Sequence, residues 1–380
     1  MALKLASRGD VAPFLVMEVV RAAEARAAEG KDVLHLEIGQ PGFQAPKGVR
    51  RAAAEALEGD VLGYTGALGV PPLRARIAAH YADTYDLDLP ERRVAATTGS
   101  SGGFLLAFLA CFEAGDRVAL ADPSYPCYRN ILKALDIEVV PIAVGPETRF
   151  QPTPEALQGL GDLAGVIVAS PSNPTGSMFL PGELHRLARW CDDQGVRLIS
   201  DEIYHGLHYE HEAETAAISP SAIVINSFSK YYAMTGWRIG WSIVPEDVID
   251  GFERLAQNFF ISPPTLSQIA ATAAFDCRPE LEANKAVYAA NRKVLLAALT
   301  DRGLAPAAPP DGAFSIYVDS SSLANDSGAL CKAMLDEIGV AATPGYDFQP
   351  TDGGRFIRFS FCADQASVAE AARRLKTWRL

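Results

Sequence analysis

Seven short apolar runs in the middle of the chain limit the folds that it can adopt. They lie between residues 94 and 244 and read VAATTG, RVALADP, EVVPIAV, AGVIVASP, VRLISDE, AIVINSFSK and RIGWSIVP. Continuous apolar runs of this length are typical of strands buried on both faces of a mostly parallel sheet. Amphipathic stretches between them, such as residues 104–113 and 181–194, suit crossover helices. We therefore predict a doubly wound α/β domain.

The two ends of the chain have a different pattern. After Pro279 an Ala-rich helical stretch runs to about residue 300, followed by a Pro-rich segment, the strand-like AFSIYVD, a helix and the strand-like RFIRFSF. Near the amino terminus a helical pattern over residues 13–29 precedes a loop at GQPGF. The carboxyl-terminal part therefore predicts a second, smaller α+β domain.

The charge balance argues against several classes of partner. The 380 residues carry a formal net charge of −12 at pH 7, and the sequence pI is near 5.0. Such a chain repels a phosphate backbone or an anionic membrane surface, because both bind clustered Lys and Arg. No apolar run reaches the length of a membrane span. We therefore expect a cytoplasmic protein that acts on small molecules, with no nucleic-acid or membrane partner.

The six cysteines show no pattern that would build a site. They include no CxxC pair, and no histidine stands at metal-ligand spacing from them. A disulfide framework and a zinc centre both need such spacing. We expect no metal site and interpret the cysteines as reduced thiols, most of them structural.

The segment AIVINSFSKYYAMTGWRIG carries the strongest chemical signal. Lys230, one of nine lysines, follows an apolar strand in a Ser-rich turn. Desolvation at a strand end lowers the pKa of a lysine and makes its amine nucleophilic toward an aldehyde. Ser227 and Ser229 add hydroxyl groups, and Arg238 offers a guanidinium that binds a phosphate bidentately. The alternative is a surface turn with an ordinary surface arginine.

Two other strand ends carry polar side chains that face the same edge of the predicted sheet, where open parallel sheets bind ligands. Asp201 and Tyr204 follow VRLIS, and Asn173 follows AGVIVA. A carboxylate there can keep a pyridine nitrogen protonated, and a phenol or an amide can hydrogen-bond a ring oxygen. The alternatives are a helix N-cap for Asp201 and simple turn formation for Asn-Pro-Thr-Gly.

Three more segments add weaker signals. TTGSSGGF is a strand-to-helix turn in which Ser100 and Ser101 could bind a phosphate, although it has neither a Walker A lysine nor GxGxxG. DPSYPCY presents Tyr125, whose ring could stack on a flat heterocycle or pack in the core. Arg358 lies in an apolar strand and needs an anionic partner, either a ligand carboxylate or a structural salt bridge.

Together these segments resemble the class I and II aminotransferases, the aspartate aminotransferase-like enzymes of fold type I that use pyridoxal 5′-phosphate. The resemblance spans nearly the whole chain. It rests on the segments that contain Tyr64, Ser100, Ser101, Tyr125, Asn173, Asp201, Tyr204, Ser227, Lys230, Arg238 and Arg358. It implies a large domain over residues 45–280 with a mostly parallel seven-stranded sheet, and a small α+β domain over residues 1–44 plus 281–380.

The resemblance also implies a role for each of these residues. Lys230 would form the Schiff base with the cofactor and shuttle the proton, with Asp201 on the pyridine nitrogen and Tyr204 as a third catalytic residue. Asn173 and Tyr204 would bind the 3-oxygen, and Tyr125 would stack on the ring. The phosphate would be held by Ser100, Ser101, Ser227 and Arg238.

The remaining roles concern the substrate and the assembly. Arg358 and Asn173 would bind the substrate α-carboxylate, and Gly39, in GQPGF, resembles the loop on the substrate side. Tyr64, in GYTGALG, resembles the tyrosine that reaches the phosphate of a neighbouring subunit, which implies a homodimer with shared active sites. GQPGF departs from the more usual GEPDF, so substrate preference does not follow from the resemblance.

The expected reaction is therefore the transfer of an amino group from an L-amino acid to a 2-oxo acid, with 2-oxoglutarate as the expected acceptor. One alternative is a C–S β-lyase of the same fold. Another is a non-catalytic effector-binding module, which would carry a winged-helix region of ~50 residues or more before the part that resembles the family; here that part begins within the first ~40 residues. The amino donor stays open, since Phe14, Tyr64 and Phe260 only indicate an apolar lining.

Overall fold

A computed structural model describes residues 3–379. Within this range the chain forms twelve strands: β1 (Leu34–His35), β2 (Val94–Thr97), β3 (Arg117–Asp122), β4 (Glu138–Ala143), β5 (Gly165–Ala169), β6 (Arg197–Asp201), β7 (Ile223–Ser227), β8 (Gly240–Ile243), β9 (Ser315–Asp319), β10 (Val340–Ala341), β11 (Thr343–Pro344) and β12 (Phe356–Ser360). It also forms twelve α-helices: α1 (Leu15–Ala28), α2 (Lys47–Gly59), α3 (Pro71–Tyr85), α4 (Gly99–Cys111), α5 (Pro126–Ala134), α6 (Pro154–Gln158), α7 (Glu183–Gln194), α8 (Ile249–Phe259), α9 (Thr265–Ala274), α10 (Arg278–Asp301), α11 (Ser327–Ala333) and α12 (Gln365–Thr377).

The seven apolar runs form one seven-stranded sheet in the order β2-β8-β7-β6-β5-β3-β4. Strand β8 pairs antiparallel with β2 and β7, and the other pairs of this sheet are parallel. The prediction of a mostly parallel seven-stranded sheet is confirmed.

The strands of this sheet are apolar without alternation because both of its faces are covered. In β5, Val166 and Val168 pack into the core that includes residues of α2, α3, α7 and α9, whereas Ile167 packs into the opposite core, with residues of α4, α5 and α8. Successive side chains of a strand point to opposite faces, so each face needs its own apolar set. The result is a three-layer arrangement with helices on both sides of the sheet.

A second core lies among the carboxyl-terminal elements. Strands β11, β12 and β9 form an antiparallel sheet in that order, and β1 pairs in parallel with β10. Helices α10 and α12 pack against this part through Leu295, Leu299 and Leu375. The predicted helix and strands after Pro279 are therefore present in a smaller α+β unit.

Helix α10 joins the two parts. Leu281 in its first turn belongs to the core of the large sheet, whereas Tyr288, Leu295 and Leu299 belong to the smaller core. Helix α1 packs on the smaller part, where Ala23 lies against Leu335 and Ala341. These contacts involve helices close to the predicted domain limits at residues 44/45 and 280/281. The limits themselves stay a prediction.

None of the helices in residues 3–379 combines the length and the apolar character needed to span a membrane.

The core of the smaller part gives a stability test. Leu295 is fully buried in α10, whereas its neighbour Val294 keeps 45% of its surface exposed. Leu295→Ala should lower the free energy of unfolding by about 2–5 kcal/mol, because it removes buried methyl groups and leaves a cavity. Val294→Ala, the matched control, should change it by less than about 0.5 kcal/mol. Urea unfolding followed by circular dichroism measures both, and equal losses would contradict this packing.

Candidate active site

The candidate site lies where five parallel strands end. The carboxyl ends of β2, β3, β5, β6 and β7 meet at one edge of the large sheet, and β8 begins there. A cavity of about 220 Å³ opens at this edge. It is lined by Ser100, Ser101, Phe104, Tyr125, Tyr128, Ala169, Pro171, Asn173, Asp201, Ile203, Tyr204, Ser229, Lys230, Thr235 and Arg238. Eight of the predicted site residues therefore converge on one cavity.

Lys230 lies three residues beyond β7, with its amine in a desolvated position. Its Nζ donates a hydrogen bond to the Gly39 carbonyl oxygen at 2.7 Å and lies 5.7 Å and 5.6 Å from the ring centres of Tyr204 and Phe314. Burial lowers the pKa of Lys230 to about 8. The amine therefore loses its proton more readily than that of an ordinary lysine, which favours a nucleophile or a general base.

Asp201 is the last residue of β6 and is 3% exposed. Its Oδ1 accepts a hydrogen bond from the Ile203 backbone N–H at 3.0 Å, and its Oδ2 accepts one from the Tyr128 hydroxyl. Burial raises the pKa of Asp201 to about 6, while these two bonds and the charge of Lys230 oppose the rise. The carboxylate is positioned in a turn, and no helix follows it, so the N-cap alternative is wrong.

Aromatic and amide groups form the walls of the cavity. Tyr125 directly precedes α5, and its ring meets that of Tyr128 edge-on at 5.5 Å. Tyr204 is buried, and its ring contacts Phe314 edge-on at 5.3 Å. Asn173 points its Oδ1 at the Arg358 guanidinium, 3.0 Å from Nη1. Flat apolar surface and one amide are thus available to a planar ligand.

The predicted phosphate ligands lie at the amino terminus of α4. Ser100 and Ser101 occupy its first turn, so the Gly/Ser-rich segment is part of the helix and not a separate turn. Gly99 has φ +66°, and a β-carbon there would stand 2.3 Å from Arg238 Nη2, so the guanidinium packs on a bare backbone. A helix amino terminus and an arginine both favour an anion.

Ser227 does not line the cavity, but it hydrogen-bonds to Ser229, which does. Its buried hydroxyl donates to Ser229 Oγ at 2.9 Å, and it accepts from the Ser229 backbone N–H at 3.0 Å. Ser229 is the residue of this pair that lines the cavity. Arg238 is an exposed side chain at the cavity, and its Nη1 donates to the Thr235 carbonyl oxygen at 3.1 Å.

Arg358 is a buried cation with neutral partners. Besides Asn173, its guanidinium donates to the Glu37 carbonyl oxygen and to Thr343 Oγ1, the latter at 3.2 Å. Its Nε has no hydrogen-bond partner within residues 3–379. Burial lowers the pKa of Arg358, but a guanidinium stays charged. No carboxylate in residues 3–379 forms a salt bridge with Arg358, although the charges of Asp347 and Glu37 lie near enough to raise its pKa. The guanidinium can therefore bind a carboxylate ligand directly.

Gly39 and Tyr64 differ in their relation to the cavity. Gly39 contacts Lys230 through its carbonyl, and its α-carbon lies so near Phe314 that a β-carbon would stand 3.4 Å from that ring. Tyr64 does not line the cavity, and 84% of its surface is exposed. Among the predicted cofactor residues of the described chain, Ser227 and Tyr64 do not line the cavity, and Tyr64 is exposed.

Sequence reasoning missed several contacts. Tyr128 binds Asp201, and its position three residues after Tyr125 on a helix could have signalled a shared face. Phe348 lies under the Arg358 guanidinium at 4.8 Å, and Phe314 lies near Lys230. No local signal marks these two residues, because their contacts depend on how separate elements of the chain pack together.

Comparisons with known proteins agree with this geometry. The family "Aminotransferase class I and II" matches residues 31–375. The valine–pyruvate aminotransferase of Mycobacterium tuberculosis is 51% identical over 381 residues, which cover 99% of this chain and 98% of that protein. The crystal structure of an aminotransferase from Mycobacterium tuberculosis superposes with a TM-score of 0.97 at 51% identity over 99% of both chains.

A more distant structure has the same fold. A double mutant of the aspartate aminotransferase of Thermus thermophilus superposes with a TM-score of 0.92 at 29% identity, again over 99% of both chains. The family match, the sequence identity and the seven-stranded sheet therefore agree, and the chain belongs to the class I and II aminotransferases, pyridoxal-phosphate-dependent enzymes of fold type I.

Proposed function

We propose that this aminotransferase takes the amino group from an apolar L-amino acid of the valine type and gives it to a small 2-oxo acid, with Lys230 as the covalent attachment point of pyridoxal phosphate. The observation that carries the proposal is the convergence of a desolvated amine, a buried carboxylate and a buried guanidinium on one cavity. Each of these groups matches one part of the cofactor or of an amino acid.

The residues present fit the cofactor. Asp201 offers a carboxylate for the pyridine nitrogen, and Tyr204 and Asn173 offer groups for the 3-oxygen. The bare backbone at Gly99 lets the Arg238 guanidinium pack beside Ser100 and Ser101, where these groups can bind the phosphate. Ser227 supports Ser229 at this end, and Tyr125 lines the cavity where the ring would lie. When bound, pyridoxal phosphate supplies an electron sink for the electrons of the broken Cα–H bond.

Lys230 is the proposed proton carrier. Its Nζ, whose pKa is lowered by burial, would take the proton from the substrate Cα and hold it within the cavity for return to the substrate–cofactor pair. The nearby rings of Tyr204 and Phe314 keep this amine desolvated. Tyr204 thus acts in catalysis through both its hydroxyl group and its ring.

Arg358 is the proposed α-carboxylate ligand. Its buried guanidinium is held by Asn173, Glu37 and Thr343, so its direction is fixed before substrate arrives. A carboxylate bound in this way fixes the rotation of the substrate and presents the Cα–H bond for transfer, a case of catalysis by orientation.

An apolar donor is favoured by the distribution of charge. Within residues 3–379 the cavity lining holds two cationic side chains, Lys230 and Arg238, and Arg358 reaches it through Asn173. The cofactor aldehyde, the phosphate and the α-carboxylate would use these three, so no further cation of the cavity lining described here is left for a second carboxylate. The 51% identical relative is named for valine and pyruvate, which supports the same conclusion.

Phe14 extends the apolar surface. It precedes α1, and its ring lies 6.0 Å from that of Tyr125. The carboxylate of Asp347 accepts from the first backbone N–H groups of this helix, at 3.0 Å from Leu15, and so holds the start of the helix next to Phe14. The rings of Phe14 and Tyr125 form an apolar wall, suited to an aliphatic side chain.

Pyruvate is the acceptor that we favour. Pyruvate has a single carboxylate, for which Arg358 alone is sufficient. The name of the 51% identical relative also includes pyruvate. The acceptor expected from sequence, 2-oxoglutarate, stays a prediction. Because the relatives reported above are named as aminotransferases, amino transfer is preferred to C–S β-elimination.

The assembly proposed is a homodimer with shared active sites. Tyr64 is largely exposed, as are the nearby Val61, Phe259 and Ile261, with 98%, 55% and 52% of their surfaces accessible. The segment that carries Tyr64 is tied to the residues after α8 by a hydrogen bond of 2.6 Å from Thr265 Oγ1 to the Gly63 carbonyl. A second copy that covers this surface would bring Tyr64 to the partner's phosphate end.

Replacing Lys230 tests its covalent role. Lys230→Ala should lower turnover by at least about 10²- to 10⁴-fold, since it removes a positioned base. Borohydride reduction followed by peptide mass spectrometry should place the cofactor on Lys230 in the native protein. The exposed Lys133→Ala on α5 is the control and should keep both activity and label. Label on another lysine, or full activity of Lys230→Ala, would refute the assignment.

A donor panel tests the apolar wall. With pyruvate as acceptor, kcat/KM should be higher for valine than for aspartate. Phe14→Ala should lower kcat/KM for valine by at least about tenfold, the scale of a lost apolar contact, and affect alanine less because its side chain is too short to reach the wall. The exposed Met17→Ala is the control. Preference for aspartate, or equal losses for valine and alanine, would contradict an apolar donor site.

A further inference from the structure

A buried polar cluster lies behind the cavity, and the proposed chemistry does not use it. It consists of Glu202 and His205, which flank Tyr204, together with Tyr85 on α3, Ser170 after β5 and Thr215. Glu202 and His205 are 0% and 7% exposed. Buried polar groups need complete hydrogen bonding, so such a cluster has well-defined geometry.

The hydrogen bonds of His205 fix its tautomer. Its Nε2 lies 3.0 Å from the Ser170 carbonyl oxygen, which can only accept, so Nε2 carries the proton. Its Nδ1 lies 2.6 Å from the Tyr85 hydroxyl, which donates to it. Burial lowers the pKa of His205 to about 3, so the ring stays neutral at physiological pH. His205 is thus a fixed link between α3 and the residue that follows β5.

Ser170 is the first residue of the segment that carries Asn173. Its backbone N–H donates to the Asp201 carbonyl oxygen at 3.2 Å, and its Oγ accepts from the Phe179 backbone N–H at 3.2 Å. Three residues further on, Asn173 Oδ1 accepts from Arg358 at 3.0 Å. The His205 bond therefore holds one end of a short segment whose other end orients the Arg358 guanidinium.

Glu202 completes the cluster on the far side from Ser170. Its Oε1 accepts from Ser200 Oγ at 3.0 Å and from the Ala216 backbone N–H at 2.8 Å, and its Oε2 accepts from Thr215 Oγ1 at 2.8 Å. The Nδ1 of His205 lies 3.4 Å from the same Oε2. Glu202 therefore fixes residues 215–216 without contacting Ser170, which makes Thr215 a suitable control position.

We propose that His205, oriented by Tyr85, is a positioning residue that sets the Asn173–Arg358 pair and thereby the affinity for the substrate α-carboxylate. The inference rests on the proposed roles of Asn173 and Arg358. His205 acts through Ser170 and touches neither substrate nor cofactor.

The test compares two amides at position 205. The amide nitrogen of His205→Gln can take the place of Nε2 and donate to Ser170, whereas the shorter side chain of His205→Asn cannot reach it. The probe is 3-methylbutanoate, the carbon skeleton of valine without its amino group. Its dissociation constant is measured on the holoenzyme by calorimetry, which requires no turnover.

The expected dissociation constant rises about tenfold in His205→Asn, the scale of one buried hydrogen bond, and stays within about threefold of the native value in His205→Gln. Tyr85→Phe should also raise the dissociation constant of the probe, as His205→Asn does. The affinity of each apoprotein for pyridoxal phosphate should fall less than the affinity for the probe, because Asn173 is only one of the proposed cofactor ligands and the phosphate end lies on other elements. Thr215→Val, which loosens the cluster without touching Ser170, should lower the melting temperature and leave probe affinity unchanged.

Three results would overturn the inference. They are a native probe affinity in His205→Asn, an equal loss of probe affinity in His205→Gln and His205→Asn, and a loss of cofactor affinity as large as the loss of probe affinity. The last two would identify a merely structural role. A native protein that binds the probe but transfers no amino group from any amino acid would instead refute the proposed function.

Discussion

The desolvated amine of Lys230 is the feature on which the rest of the site depends. It exists because β7 ends inside a sheet that is covered on both faces, so the turn after the strand stays largely shielded from water. A charged amine is costly in such a place, and its pKa falls to about 8. Asp201 follows the same principle at the end of β6, where burial raises the pKa of its carboxyl group to about 6. The two shifts bring both pKa values closer to neutral pH.

Arg358 joins the smaller part of the chain to this edge. It lies on β12, yet it donates to Asn173 beyond β5 and to Glu37 near β1, and it rests on the ring of Phe348. Its hydrogen-bond partners among the described residues are neutral, and a buried cation favours a carboxylate as a further partner. In the proposed role, Arg358 and Asn173 can bind a substrate carboxylate together only when the smaller part is packed on the large sheet.

Much of this arrangement could be predicted from sequence. The strands were readable because their apolar runs are continuous, and Asn173, Asp201 and Lys230 could be placed because each directly follows such a run. The contacts of Phe348 and His205 could not be placed, since they carry no turn or strand signal and depend on how separate elements pack. The phosphate segment was predicted as a turn, but Gly99 allows α4 to begin earlier and to include both serines. The proposed donor pocket could not be predicted from sequence, because the packing of α1 decides whether Phe14 lies near Tyr125.

The most direct test of the central claim is the visible absorption spectrum of the purified protein, recorded as one amino acid and then a 2-oxo acid are added without oxygen. If Lys230 holds the cofactor and the site transfers amino groups, the band of the bound cofactor should disappear with valine and return with pyruvate. A protein that holds no such chromophore, or a band that persists while ammonia and a 2-oxo acid are released, would contradict the account.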